Sequence, residues 1–390
     1  MKEIQDLKTA HVRAYGDSPR MRVFACPGRI NIIGEHIDYN GGHVLPAAVN
    51  KHVYLAITPN NDNVIRFHSV DFGDPFEIHV DNIDDMSDPG DHWWVYPFGA
   101  CKLIDIELKS GFDLTFKNTL PAGAGMSSSA AITVCTIYAL CMLHNASIKP
   151  NEMARLAQRV EWEVAGVSCG IMDQFSVIHG KEDNAIMLDT RDLSFEFVPV
   201  DSNVVHFVLV NSGIKHSLKD TGYNDRRKEC QHALETLQAG GIKIDHLCEL
   251  PAEKIDVIKG MLSDVEFKRT VHAVTENLRV KEFSDAMNAY RLHEAGDAMF
   301  RSHASLRDDF EVSIPEIDRM VKWTKDIDGV YGSRMMGGGF GGCTINMVAL
   351  YAVDRFTDQI TKKFEAEFGR APEIYNCILE DGVRELVGSE

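Results

Sequence analysis

Three clusters of residues in this chain combine the types and spacing that chemistry needs. The first is Leu120 to Ala131, LPAGAGMSSSAA. Gly123 and Gly125 tolerate positive φ and let a ligand approach the backbone, while Ser127, Ser128 and Ser129 add hydroxyls for phosphate oxygens or Mg²⁺. A serine N-cap after a glycine turn is the plainer alternative. Three consecutive serines exceed what one cap needs, and only Met126 interrupts the small residues from Gly123 to Ala131. The Gly-Lys-[Ser/Thr] ending of a Walker A loop is missing, so the stretch reads as an anion site of another kind, suited to a nucleotide. The second cluster is Arg29, Glu35, His36 and Asp38, followed by Gly41-Gly42 and set between apolar stretches. Charges there are costly unless paired or in contact with a polar ligand. A solvated loop with an internal arginine–carboxylate pair would account for them. So would a hydroxyl-rich ligand such as a sugar, because carboxylates accept hydrogen bonds from vicinal hydroxyls and His donates or accepts. The third is Asp173, a carboxylate among Ile171, Met172 and Phe175 just after Gly170; such a residue is either paired or functional.

These groups need elements to hold them. Phe112, Leu114 and Phe116 alternate as in a half-buried strand, and AITVCTIYALCMLH after the serines is long and apolar enough for a core helix. The serine loop therefore lies at a helix N-terminus, where unpaired N–H groups and the dipole attract anions. Around the second cluster, Val23 to Ala25 predicts a short strand, Pro27-Gly28 a turn, Ile30 to Ile33 a second strand, and Val53, Leu55 and Ile57 a third. Residues 2 to 15 read as a surface helix, and 64 to 67 and 76 to 80 as strands. A helix is expected from near His92, with Trp93, Trp94 and Tyr96 as packing residues. NEMARLAQRVEWEV reads as a helix with Asn151 as N-cap and Glu161 and Glu163 at its end. A composition shift at Asp201-Ser202-Asn203 places a domain boundary there, giving residues 1–200 and 201–390. Residues 251 to 328 read as helical, with Ser302, His303 and Arg307 as capping and packing residues, since no Gly-x-Ser-x-Gly elbow accompanies them. GGGFGG, Gly337 to Gly342, matches G-x-G-x-x-G, but a strand follows it, so a glycine turn between strands is expected instead of a dinucleotide site. One more helix (352 to 368) and a last strand near 376 to 379 complete the pattern.

Composition narrows the class. At 390 residues two domains are expected, with 44% hydrophobic and 25% charged residues as in globular proteins. A formal net charge of −18 argues against nucleic acid or an anionic membrane as partner, though a local nest can still bind one phosphate. Nine scattered Cys without CxxC pairs, and a polar N-terminal stretch, point to reduced thiols in the cytoplasm. No apolar run reaches the length of a membrane span.

GRINIIGEHIDY resembles the signature of the galactokinases, within the GHMP small-molecule kinase superfamily. LPAGAGMSSSAA is similar to that superfamily's ATP motif and GGGFGGC to its third motif, and the resemblance extends in order from about residue 20 to 350 through GIMDQ, TGYNDRR and SHASLRDDFEVS. It departs from the usual pattern at Ile37, Met126, Met336 and Gly338, none of which removes a proposed chemical group. The resemblance implies the two-domain α+β GHMP kinase fold with the active site in the cleft between domains. It implies ATP-dependent phosphorylation of α-D-galactose at the anomeric hydroxyl, giving galactose 1-phosphate and ADP, in galactose metabolism (the Leloir pathway). Asp173 would be the catalytic aspartate and Arg29 its partner. Glu35, His36, Ile37, Asp38, Gly170 and Tyr223 would contact the sugar. Ser69, Gly123, Ala124, Gly125, Met126, Ser127, Ser128 and Ser129 would meet the nucleotide, and Ser129 and Glu161 would hold Mg²⁺. Galactose and ATP are the partners implied, in a monomer. A kinase for another sugar, such as N-acetylgalactosamine or arabinose, and a non-catalytic galactose sensor are the alternatives.

Overall fold

The computed structural model describes residues 2–121, 123–167, 169–215 and 219–387. Helix α1 (Lys2–Tyr15) leads into β1 (Arg22–Asn31), then β2 (His43–Val44), β3 (Pro46–Pro59), β4 (Val64–Ser69), β5 (Phe76–His79), α2 (Val95–Leu103) and β6 (Phe112–Asn118). Helices α3 (Ser128–Leu143), α4 (Pro150–Arg159) and α5 (Met172–His179) precede β7 (Asn184–Asp189), β8 (Phe195–Pro199) and β9 (Val205–Lys215). There follow α6 (Lys219–Ala239), α7 (Ile255–Ile258), α8 (Asp264–Asn288), α9 (Leu292–Asp308) and α10 (Pro315–Thr324). The chain ends with β10 (Val330–Met336), β11 (Gly341–Ala349), α11 (Val353–Phe368), β12 (Glu373–Cys377) and β13 (Arg384–Glu385). The strands form a six-stranded sheet in the order β13-β1-β3-β6-β4-β5, a four-stranded sheet β10-β11-β9-β12, and a small sheet β2-β7-β8.

Where the strands differ from expectation, the cause is visible. The region expected as two strands around a turn is one continuous strand, β1, whose register against β3 shifts between Pro27 and Gly28. Pro has no N–H for the ladder and is tolerated at a bulge, and a bulge re-aims the side chain that follows it, here Arg29. Gly28 is required by close approach. A Cβ there would sit 2.2 Å from Leu120 Cδ2 and 2.8 Å from the Met126 carbonyl oxygen. Strand β6 is buried on both faces, because α1 covers the second one. His11 bridges Thr58 at 2.7 Å and Thr115 at 2.9 Å, which satisfies the hydroxyls there.

Helix α4 is capped by Lys149 with Pro150 in its first turn, so Asn151 lies inside the helix and not at its cap. It then widens into a π-helical turn over Val160–Val164. That turn carries Glu161 inward, 4% exposed, and leaves Glu163 outside, paired with Arg159 at 2.7 Å. The glycine stretch after β10 is a hairpin turn, as expected. The last residues return to the first sheet: Leu379 bridges Val49, β13 pairs with β1, and Arg22 holds Glu385 at 2.6 Å. No described helix is long and apolar enough to cross a membrane.

Candidate active site

The bulge in β1 points Arg29 at the first turn of α5. Its Nε lies 2.8 Å and its Nη2 2.7 Å from Asp173 Oδ1, and its Nη1 donates to the Gly125 carbonyl oxygen. The Ser127 hydroxyl donates to Asp173 Oδ2. Ser127 itself sits at φ 57°, makes no capping bond to α3, and so does not act as the N-cap that the plainer reading of the loop would need. Gly123 and Gly125 are left-handed as well, at φ 77° and 70°, and both are exposed with Ser128. Ala124 and Met126 point their side chains into the core; Ala122, between Pro121 and Gly123, lies outside the described residues. The loop thus bares backbone and hydroxyls at the start of α3, beside a paired carboxylate and guanidinium. That arrangement can bind an anion and accept a proton a few ångströms away.

The polar cluster after β1 folds over this pair. Asp38 is half-buried, and burial, with Asp173 and Glu35 nearby, pushes its carboxyl up to about 7. A Cβ on residue 170 would fall 1.7 Å from Asp38 Oδ2, so any side chain there would displace that carboxylate. His36 adopts φ 61°, its Nδ1 pairs with the Tyr39 hydroxyl at 2.8 Å, and burial lowers its imidazole to about 3, leaving the ring neutral. Its ring lies 4.7 Å from Phe310 and 5.4 Å from Tyr223. Tyr223 comes from α6 and abuts the glycine hairpin, where a Cβ on Gly338 would meet its Cδ2 at 3.2 Å. Glu35 Oε1 accepts from the Gly337 N–H at 2.6 Å and from Arg334 at 3.2 Å. The Ile37 side chain is fully buried in the core and its carbonyl accepts from the Asn40 and Gly42 N–H groups, so neither faces outward.

Two further expectations concern the loop's far side. Ser69 Oγ accepts from the Asp71 and Phe72 N–H groups at 3.2 and 3.1 Å, so it shapes a turn. Asp71 in turn accepts from the Asn118 N–H at 2.5 Å, and Asn118 from the Leu120 N–H at 2.8 Å, which anchors the start of the serine loop. Ser129 Oγ lies 3.4 Å from Glu161 Oε2, and Glu161 Oε1 accepts from Gln174 at 2.6 Å. Burial, with the Asp173 charge nearby, pushes Glu161 up to about 7. A buried carboxylate beside a second one, facing a hydroxyl, suits a hard cation that keeps waters and phosphate oxygens as its other ligands. No three His, Cys, Asp or Glu among the described residues converge to hold a metal by themselves.

The sequence reading missed Arg334, fully buried on β10, and Tyr39. A lone arginine in a strand carries no local signal. Tyr39 lies within the polar cluster that starts at Glu35, but nothing in its spacing marks it as the partner of His36.

Comparison with known proteins supplies the family. Residues 9–59 match the galactokinase galactose-binding signature, 96–181 the GHMP kinases N-terminal domain and 283–366 the GHMP kinases C-terminal domain. The chain is 39% identical over 365 residues to galactokinase from Fusobacterium nucleatum, covering 92% of this chain and 93% of that protein. With galactokinase from Bacillus subtilis the identity is 35%, covering 98% and 99%. Among solved structures, Lactococcus lactis galactokinase complexed with galactose superposes with a TM-score of 0.94 at 32% identity, over 98% of this chain and 100% of that one. A mevalonate kinase with a TM-score of 0.66 at 20% identity shares the fold. The α+β GHMP kinase arrangement expected from the sequence is the one found.

Proposed function

This chain belongs to the galactokinase family and phosphorylates α-D-galactose at its anomeric hydroxyl with ATP, and we propose that Asp173 takes the proton of that hydroxyl while Arg29 orients it. The observation that carries this assignment is the Arg29–Asp173–Ser127 constellation, which stands where the sugar cluster meets the serine loop. Phosphoryl transfer is mostly positioning and charge stabilisation. Asp38, His36 and Tyr223 surround the sugar hydroxyls, with Gly170 leaving room for Asp38. Glu35 ties the sugar turn to the glycine hairpin. The bared backbone from Gly123 to Ser129 cradles the phosphates. Arg29, balanced by Asp173, adds positive charge where the transferring group passes. Mg²⁺ would be held by Ser129 and Glu161 and would neutralise phosphate charge when bound; the buried Glu161 carboxylate facing the Ser129 hydroxyl at 3.4 Å is what fits these residues to it.

A sugar panel read by ADP formation tests the assignment: galactose, N-acetylgalactosamine, arabinose and glucose, each with ATP and Mg²⁺. Galactose should give the highest kcat/KM. Galactose binding without ADP formation would instead support the sensor reading, and a preference for another sugar would reassign the substrate.

A further inference from the structure

The turn that faces the sugar is held from the other half of the chain. Glu276 and His272 stand four residues apart on α8, on one face. Glu276 Oε1 accepts from the Gly34 N–H at 3.0 Å and from the Ser302 hydroxyl at 2.6 Å, and Oε2 accepts from Arg279 Nε at 2.7 Å. His272 Nε2 lies 3.1 Å from the Glu35 carbonyl oxygen, and its Nδ1 lies 3.0 Å from the Ser305 hydroxyl. Arg334 grips the strand end that precedes the turn, with Nε 2.7 Å from the Ile32 carbonyl oxygen and Nη2 2.6 Å from that of Asn31. His272, Glu276 and Arg334 are all fully buried. Glu35, Glu276, Arg279 and Arg334 balance in charge, the condition under which buried ions persist. Burial pushes Glu276 up, but Arg279, then His272 and Arg334, bring it down to about 2, so it stays a carboxylate and an acceptor.

The turn needs such a grip. Gly34 lies at φ 101° and His36 at φ 61°, the latter a left-handed conformation that costs a non-glycine residue on the order of 1 kcal/mol. Strained backbone persists only where its surroundings over-determine it.

We propose that His272 and Glu276 are positioning residues for galactose: by fixing the Gly34 N–H and the Glu35 carbonyl they set the conformation that aims His36 and Asp38 at the sugar. Neither touches the sugar or the nucleotide. The inference rests on reading residues 35–38 as sugar-facing, so Asp38→Ala serves as a reference in the same experiment. Glu276→Gln keeps the shape but sets an amide donor against Arg279 or the Gly34 N–H. It should raise the galactose KM roughly tenfold while the ATP KM stays within about twofold. Pairing it with Arg279→Leu removes the conflicting donor, frees the amide oxygen for the Gly34 N–H, and should bring the galactose KM most of the way back. Ser302→Ala is a milder probe of the same Glu276 oxygen; it should raise the galactose KM alone, by a smaller factor, and it decides the matter if Glu276→Gln does not fold. Galactose and ATP KM rising together in folded variants, or neither moving, overturns the inference. An unchanged galactose KM in Asp38→Ala would instead overturn the sugar-facing reading itself.

Discussion

Asp173→Asn separates chemistry from structure because the surrounding bonds can survive it. The amide oxygen can still accept from Arg29, now at 2.8 and 2.7 Å from Oδ1, and the amide N–H can donate to Ser127 Oγ, reversing that bond. What disappears is one charge and the proton acceptor. Deleting a partner from a buried ion pair costs about 3–5 kcal/mol. Here the hydrogen bonds persist and the Asp173 side chain is 25% exposed, so the stability cost falls to about 1–2 kcal/mol. Its place in the first turn of α5 adds only ~0.3–1 kcal/mol, through the lost interaction with the helix dipole. A positioned base contributes about 10²–10⁴ in rate, or ~2.7–5.4 kcal/mol at about 1.36 kcal/mol per decade. The catalytic loss therefore outweighs the structural one. Turnover should fall at least roughly a hundredfold while galactose affinity changes by less than about threefold. Calorimetry of galactose binding and a coupled ADP assay on the same folded protein measure both. Near-normal turnover would refute the assignment of Asp173 as the base, and a parallel collapse of binding would make it a sugar-binding residue only.

Three other perturbations follow from the same geometry. Burial, Asp173 and Glu35 raise Asp38 to about 7; on the proposal that sugar hydroxyls donate to its ionised form, galactose affinity should strengthen as pH rises from about 6 to 8 and then level off. Asp38→Asn should bind weakly and without that pH dependence, as read by calorimetry without ATP; a wild-type affinity flat in pH would remove Asp38 from the sugar. Glu161→Gln should raise the Mg²⁺ concentration for half-maximal activity by about tenfold, and an unchanged Mg²⁺ titration would take Glu161 out of the metal site. Gly170→Ala places a Cβ 1.7 Å from the present position of Asp38 Oδ2, so the galactose KM should rise at least about tenfold with the ATP KM unaltered. Equal galactose KM values for wild type and variant would show that the carboxylate does not need that position.

The parts of the site that could be read from sequence are those whose residues lie close together in the chain. The serine loop announced itself by small residues before an apolar helix, and β6, the loop and α3 follow in that order. The Arg29 cluster showed because charges between apolar strands demand partners. Misreadings arose where one local signal has two structural outcomes. Pro27-Gly28 marks a turn in most contexts, but with β3 alongside it became a bulge within β1. Alternation in β6 suggests one dry face, yet α1 supplies a cover for the other, with His11 satisfying Thr115 on β6 and Thr58 on the neighbouring β3. Glu161 and Glu163 look alike at a helix end; the π-helical turn decides which of them goes inside.

What sequence could not show is how the sugar turn keeps a shape that its own residues resist. The Gly34 N–H finds Glu276, 242 positions away, and the strand end before it finds Arg334, about three hundred positions on. Each of those side chains, taken alone, is an ordinary polar residue of a helix or a strand. Their role exists only once α8 and β10 have packed against the turn that follows β1, when the desolvation of four charges is offset by their mutual pairing. A signature motif thus names the groups proposed to meet the ligand, while the left-handed backbone at His36 is held by hydrogen bonds from residues outside it. Sugar affinity in this enzyme should therefore be as sensitive to the buried clamp as to the signature, and a change in α8 can alter it without touching either substrate.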